Sequence, residues 1–227
     1  MGTLVAVAGW EWAALLIGYF IVSSALTRVG RERKAGLTAS VLPDASARDA
    51  AQVLANGGLF ATLVLLGEVL GSPALYIAGM GALSAAAADT WATEVGMLWG
   101  GTPRTILTLA KVEPGVSGGV TLIGTAAGVA AAATMALLAP TLVGSEGAPA
   151  VLAAGIAGTI GDSVLGATLQ SQRWCDQCRT WTERRVHTCG YRTQHARGLR
   201  WMTNDTVNLL ATAFGALVAL AVIGTRR

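Results

Sequence analysis

The chain has 227 residues, of which 53% are hydrophobic and only 13% are charged. Soluble domains carry about 25% charged residues, so this composition excludes an ordinary soluble domain, a disordered chain and a basic arm that binds nucleic acid. We therefore expect no nucleic-acid partner. The mean hydropathy of +0.55 and the 29 glycines favour apolar helices that pack closely in a lipid bilayer.

Six apolar stretches follow one another, each long enough to cross a bilayer as a helix, which takes about 20 residues. They cover residues 4–26, 50–70, 73–99, 119–143, 148–169 and 201–223. No Lys or Arg precedes the first stretch, so it lacks the charged start of a signal peptide, and we expect a retained span. The sequence predicts an all-α fold: one integral membrane domain over residues 1–227, a polytopic bundle of about six transmembrane helices.

The basic residues are distributed unequally over the connections between spans. Every Lys and Arg except Arg226 and Arg227 lies between spans one and two, three and four, or five and six. The positive-inside rule places these three loops in the cytoplasm, next to an inner or plasma membrane, with both termini outside. In this orientation Arg226 and Arg227 would lie outside, which the rule disfavours, but the basic residues of the three loops are far more numerous.

Polar side chains within the spans concentrate at the predicted cytoplasmic ends, where costly ionisable groups indicate a functional site. Arg48, Gln52 and Asn56 recur every four residues and share one stripe of span two. Asp89 and Glu94 are about 140° apart around a helix, so we expect one at a ligand and the other at a neighbouring helix. The remaining members are Thr93 of span three, Asp162 and Gln170 at the end of span five, and Asn204, Asp205 and Asn208 of span six.

A glycine-rich run comes directly before the fourth span. Ser117, Gly118 and Gly119 belong to this run, which offers backbone N–H groups and the positive end of a helix dipole to phosphate. Arg104 and Lys111 precede it and can neutralise phosphate charge. Carboxylates and phosphates share a pocket when Mg²⁺ bridges them, so the sequence predicts a magnesium-dependent phosphoryl-transfer site.

The loop between spans five and six, residues 171–200, contains all three cysteines and both histidines. A reducing cytoplasm argues against disulfides, and the spacing favours a structural zinc site. The alternative is three free thiols. The candidate ligands are Cys175, Cys178 and Cys189 with His187, or with His195 as the alternative fourth ligand.

Several ordered motifs point to a known family. They read RxxxQVLANG at 48–57, ADTWATEVG at 88–96, PR at 103–104, GxSGGV at 115–120, GDSxLGATxQ at 161–170 and NDxVN at 204–208. Together they resemble the transmembrane protein 19-like family, which includes the phytyl-phosphate kinase of the plant vitamin E pathway. The resemblance implies phosphorylation of an isoprenoid monophosphate to the diphosphate by a nucleoside triphosphate.

The sequence thus favours a membrane kinase acting on a phytyl- or geranylgeranyl-type monophosphate, with CTP or another nucleotide as donor. The expected magnesium ligands and catalytic acids are Asp89, Glu94, Asp162 and Asp205. The expected substrate and nucleotide contacts are Arg48, Gln52, Asn56, Thr93, Arg104, Lys111, Ser117, Gly118, Gly119, Ser163, Gln170, Asn204 and Asn208. The alternatives are a CTP-dependent cytidylyltransferase that makes a CDP-activated lipid, and an ion-coupled transporter. Each of these three functions is compatible with an oligomer.

Overall fold

A computed structural model describes residues 2–42 and 50–225 of the chain. The helices are α1 (Gly2–Val5), α2 (Trp10–Arg28), α3 (Arg31–Thr38), α4 (Ala50–Leu70), α5 (Pro73–Trp99), α6 (Leu122–Val143), α7 (Ala148–Thr168) and α8 (Asn204–Gly224). The short strands are β1 (Arg104–Thr105), β2 (Gly119–Val120), β3 (Gln172–Cys175), β4 (Thr180–Thr182) and β5 (Gln194–Arg197). The helical bundle is confirmed. Arg48, Arg226 and Arg227 lie outside the described residues.

Helix α5 is the centre of the bundle. Helices α2, α4, α6, α7 and α8 are each long and apolar enough to cross a membrane. With 27 residues α5 is also long enough, but Asp89, Glu94 and its serine, threonine and glycine residues lower its hydropathy below that of those five. Every residue from Ile77 to Ala88 is buried, so its neighbours shield it from lipid.

Small residues let the helices approach α5 closely. A Cβ atom on Gly158 of α7 would lie 2.3 Å from the Cβ of Ala85, closer than packing allows. On the α8 side, a Cβ on Gly81 would lie 2.7 Å from Ala219, and one on Gly215 would lie 2.8 Å from Ala85. These contacts fix how far α7 and α8 can slide along α5, as small-residue interfaces do in membrane bundles.

Three spans start later than the sequence predicts, among them the sixth, which begins at Asn204 rather than at residue 201. The first begins at Trp10, because the chain turns at Gly9, whose φ of 141° favours glycine, and leaves α1 as a separate short helix. The fourth begins at Leu122, because β2 pairs with β1 as a two-stranded antiparallel sheet. Thr121 then caps α6 by accepting a hydrogen bond from the Gly124 N–H at 3.0 Å.

Residues 171–200, here called the Cys/His subdomain, form a three-stranded antiparallel sheet in the order β4-β3-β5. Backbone hydrogen bonds join both of its ends to the bundle: Ser171 N–H donates to Met202 at 2.9 Å, and Leu199 N–H donates to Leu169 at 2.9 Å. The end of the bundle that carries residues 101–119 and this subdomain is called the loop face below.

Candidate functional site

Two carboxyl groups meet between α5 and α7. Gly158 packs on Ala85, and Asp162 and Asp89 each follow one helical turn later on helices that run in the same direction. The two side chains are within hydrogen-bonding distance of each other. The Oδ1 atom of Asp162 is buried and has no hydrogen-bond partner among the described residues. Adjacent carboxylates repel, so this pair requires a proton or a cation between its oxygens.

Amide side chains from α4 and α8 lie near the level of this pair. The Thr212 hydroxyl of α8 donates to the Ala55 carbonyl of α4 at 3.4 Å, which fixes the register of these two helices. Asn56 and Asn208 are both buried, each with 7% exposure. The register of α4, α5, α7 and α8 puts their polar residues within about one helical turn of each other. This polar layer comprises Gln52, Asn56, Asp89, Asp162 and Asn208.

The donor atoms of the polar layer suit Mg²⁺, which prefers carboxylate and amide oxygens and keeps sites for phosphate oxygens. A buried carboxylate oxygen without a partner is the chemical feature that a cation would satisfy. The closely spaced acids Asp89 and Asp162 are therefore the side chains that fit the predicted magnesium ion.

Glu94 lies on a different face of α5. Its Oε2 atom is 2.5 Å from the Lys34 ammonium of α3, and its Oε1 atom accepts a hydrogen bond from the Thr27 hydroxyl of α2 at 2.6 Å. Lys34 also donates to the Leu26 carbonyl at 2.8 Å. The pair is nearly buried, so Glu94 joins α5 to α2 and α3, the neighbouring-helix role expected for one of the two acids. Lys34 was not identified from the sequence.

The other polar residues predicted at the helix ends are more exposed. Asp205 lies in the first turn of α8, where a carboxylate interacts favourably with the helix dipole. Asn204 and Thr93 are exposed, and Ser163 is half-buried on the turn that carries Asp162.

The glycine-rich run packs against the end of α7. Gly118 has a φ of 78°, and a Cβ there would lie 2.6 Å from the Ala167 backbone, so only glycine fits. Gly119 is exposed and begins β2. Arg104 and Lys111 are exposed on the same loop, and the Arg104 guanidinium donates to the Leu109 carbonyl at 2.7 Å.

Glu183 of the Cys/His subdomain connects two residues predicted to bind substrate. Its Oε1 atom accepts hydrogen bonds from the Ser117 hydroxyl at 2.6 Å and from the Gln170 side-chain amide at 2.8 Å. Burial raises the pKa of Glu183, and these two hydrogen bonds oppose that rise. Its N–H donates to the Val41 carbonyl at 2.7 Å. No sequence pattern distinguished Glu183 from a solvated acid in a basic loop.

The three cysteines and His187 converge within the Cys/His subdomain. The potential ligand atoms of Cys175, Cys178, His187 and Cys189 all lie within 4.8 Å of one another. Cys175 Sγ is 3.7 Å from Cys189 Sγ, and His187 Nδ1 is 3.3 Å from the same sulfur. A tetrahedral zinc ion with bonds of about 2.3 Å separates its sulfurs by about 3.8 Å. Within the described residues, His195 does not join this group.

Hydrogen bonds within this cluster shift the pKa values of two of its thiols in opposite directions. A hydrogen bond from the Tyr191 backbone and another from His187 lower the pKa of Cys189 to about 6. The pKa of Cys178 is raised to about 11, chiefly through its hydrogen bond with Cys189. A thiolate is the form that binds zinc, so Cys189 is the ligand that is ionised most readily at neutral pH.

The fold and the polar layer define a helical integral membrane protein with two adjacent, half-buried carboxyl groups near one end of the bundle. Comparison of sequences gives the family: the chain belongs to the integral membrane protein family DUF92, whose model matches residues 1–216.

The chain is similar in sequence to proteins from a plant and from an archaeon. The chain is 32% identical over 195 residues to Protein PGR of Arabidopsis thaliana, covering 74% of this chain and 67% of the relative. It is 30% identical over 220 residues to an uncharacterized membrane protein of Methanocaldococcus jannaschii, covering 96% and 78%. It is 25% identical over 213 residues to Protein VTE6, chloroplastic, of Arabidopsis thaliana, covering 91% and 56%. No solved structure matches the chain.

Proposed function

We propose that this protein transfers a phosphoryl group from a nucleoside triphosphate to an isoprenoid monophosphate and so forms the prenyl diphosphate. The observation that carries the proposal is the Asp89–Asp162 pair in the polar layer, with a buried carboxylate oxygen that has no partner among the described residues. The family resemblance of the surrounding motifs supports the same chemistry. The similarity to Protein VTE6 agrees with it.

Asp89 and Asp162 would hold Mg²⁺, with Asn56 and Asn208 beside them. When bound, Mg²⁺ neutralises the charge of the phosphates. A phosphate oxygen of the prenyl monophosphate attacks the terminal phosphorus of the nucleotide, the bond to its bridging oxygen breaks, and the nucleoside diphosphate leaves. The acceptor oxygen is already ionised, so no residue needs to remove a proton. The protein then has to position the phosphate of the prenyl substrate against the terminal phosphate of the nucleotide and to exclude water.

The loop face is proposed to lie in the cytoplasm, where the nucleotide is available, since nearly all basic residues belong to connections at that end. The isoprenoid tail would lie in lipid or between helices, with its phosphate at the loop face. The substrate would therefore enter sideways from the bilayer, and the nucleotide from water.

The test is a product analysis with protein purified in detergent. Phytyl or geranylgeranyl monophosphate is incubated with Mg²⁺ and each nucleoside triphosphate in turn. We expect a prenyl diphosphate and a nucleoside diphosphate, with the rate reduced roughly 10²-fold or more in Asp162→Asn. Glu146→Gln is the matched control, because Glu146 is exposed at the opposite end of the bundle. Both variants are first checked for wild-type elution on size exclusion.

The products separate the proposal from its alternatives. A CDP-lipid with pyrophosphate would identify a cytidylyltransferase, and the absence of any diphosphate with every prenyl monophosphate would refute the kinase. Ion flux into vesicles that depends on Asp162, without product, would identify a transporter.

The Cys/His cluster is proposed to bind one structural Zn²⁺ ion. A subdomain of about 30 residues has little core of its own, and a metal supplies folding energy to such segments. Metal analysis of the purified protein is expected to find one zinc per chain, lost in Cys175→Ser and in the more exposed Cys178→Ser. Thr188→Ala, exposed between two ligands, should keep it. Zinc content unchanged by both cysteine variants would remove the site.

A further inference from the structure

A basic cavity opens where the Cys/His subdomain meets the bundle. Its volume is about 380 Å³, and its lining residues are Ser171, Arg173, Arg185, His195 and Arg200. All four ionisable residues of this set are arginine or histidine. A concave site lined by several guanidinium groups is suited to phosphates, which arginine binds through paired N–H donors.

One of the lining side chains, Arg173, is held in place within the subdomain. Arg173 donates from Nε to the Thr193 hydroxyl at 2.7 Å, and a second guanidinium nitrogen donates to the Thr193 carbonyl. The Nε2 atom of His195 is buried and has no hydrogen-bond partner among the described residues. A buried ring nitrogen in this condition is a polar group that a ligand would satisfy. Arg185 and Arg200 are exposed and free to close on an anion.

The cavity is attached rigidly to the helices of the polar layer. Ser171 follows the end of α7 and is hydrogen-bonded to Met202, just before α8. A Cβ on Gly198 would lie 2.0 Å from the Gln170 carbonyl oxygen, so the two segments touch through backbone atoms. About 9 Å of helix separates Asp162 from the end of α7 at Thr168. The cavity and the acid pair therefore belong to the same end of the same helices.

We propose that this basic cavity binds the polyphosphate chain of the donor nucleotide. The assignment rests on the proposed kinase function, and it extends the site from the polar layer to Arg173, Arg185, His195 and Arg200. Arg173 and His195 would hold the phosphates from the subdomain side, and Arg185 and Arg200 would cover them from the solvent side.

The experiment measures nucleotide binding without turnover. Fluorescent N-methylanthraniloyl derivatives of ATP and CTP are titrated into the full-length protein in neutral detergent with Mg²⁺ and no prenyl substrate. Arg200→Gln and Arg185→Gln are each expected to weaken Kd roughly tenfold, the effect of losing one charge-assisted contact. Arg192→Gln is the matched control, because Arg192 is exposed on the same subdomain and does not line the cavity. Inorganic triphosphate should compete, because the cavity recognises phosphate rather than base.

Three outcomes decide the assignment. Weakened nucleotide binding in both cavity variants, with wild-type binding in Arg192→Gln, supports it. Equal Kd values in all three variants overturn it. If the cavity instead recognises an anionic headgroup, the cavity variants would lose phosphatidylglycerol binding in mixed micelles and keep nucleotide binding, which also overturns the assignment.

Turnover separates the failure of this assignment from the failure of the proposed function. If nucleotide binds in the cavity but no prenyl diphosphate forms, only the kinase proposal fails. If diphosphate forms with an unchanged nucleotide KM in Arg200→Gln, only the cavity assignment fails.

Discussion

The Lys34–Glu94 ion pair allows a structural acid to be separated from a catalytic one. Its N···O distance is 2.5 Å, and the two side chains are only 8% and 15% exposed. Lys34→Met removes the ammonium and leaves the Glu94 carboxylate in a site that is largely closed to water. Breaking a buried pair in this way costs about 3–5 kcal/mol, and the slight exposure of Glu94 favours the lower end, about 3 kcal/mol.

That loss converts into a measurable change in melting temperature. In chains of this size 1 kcal/mol corresponds to roughly 2–4 °C, so Lys34→Met should lower Tm by roughly 6–12 °C. Glu94→Gln should have a similar effect, because it leaves the ammonium without a counter-ion while keeping an acceptor for Thr27. The double variant removes both charges and should return to within about 1 kcal/mol of wild type.

The assay is thermal unfolding in one detergent, followed for the wild type, both single variants and the double variant, with the proposed prenyl phosphate kinase activity measured on each. Additive losses in the double variant would show that the two side chains do not interact, and the reasoning would fail. Activity separates the two roles of Glu94. A structural acid predicts recovered turnover in the double variant, whereas a magnesium ligand predicts turnover lost in Glu94→Gln and still lost in the double variant.

Three further predictions follow from packing and protonation. Gly158→Ala places a methyl group against Ala85 and should destabilise the protein by about 1–3 kcal/mol and reduce activity, whereas Gly18→Ala, which faces open space, should leave both unchanged. Burial raises the pKa of Glu183, so the folded state binds the proton of this carboxyl group more tightly than the unfolded state does. Docking of the Cys/His subdomain should therefore weaken as the pH rises from the ordinary pKa of a glutamate through the raised pKa of Glu183. Glu183→Gln should flatten this pH profile in limited proteolysis, and an unchanged profile would contradict the prediction. Cys189, with a pKa of about 6, should be alkylated at pH 7 in zinc-stripped protein faster than an unperturbed thiol and protected on adding zinc; equal rates with and without zinc would count against the cluster.

Hydropathy was sufficient to locate the long helices. The second, third and fifth spans match α4, α5 and α7 to within one residue, because a bilayer imposes a nearly uniform length on apolar segments. The position of Asp89 and Asp162 near the predicted cytoplasmic ends of spans three and five also indicated that they would lie near the same end of the bundle. Their direct contact could not be predicted, because it depends on the close approach of Gly158 to Ala85.

The loop-face contacts were less accessible to sequence reasoning. Strands β3, β4 and β5 have only three or four residues each and contain mostly polar or charged side chains, so no hydrophobic alternation reveals them. Lys34 meets Glu94 across 60 residues of sequence, and Glu183 meets Ser117 across 66. Pairings between distant polar residues carry no local pattern, and only the folded chain defines them.

The central position of α5 has a consequence for how the protein is made. A segment with two carboxylates and a modest hydropathy partitions poorly into lipid by itself, since each acid opposes insertion at the translocon. We expect α5 to remain near the translocation channel until α6, α7 and α8 have emerged to enclose it. Ribosome-bound chains that end near Trp99 should therefore integrate less completely than chains that extend beyond Gly224.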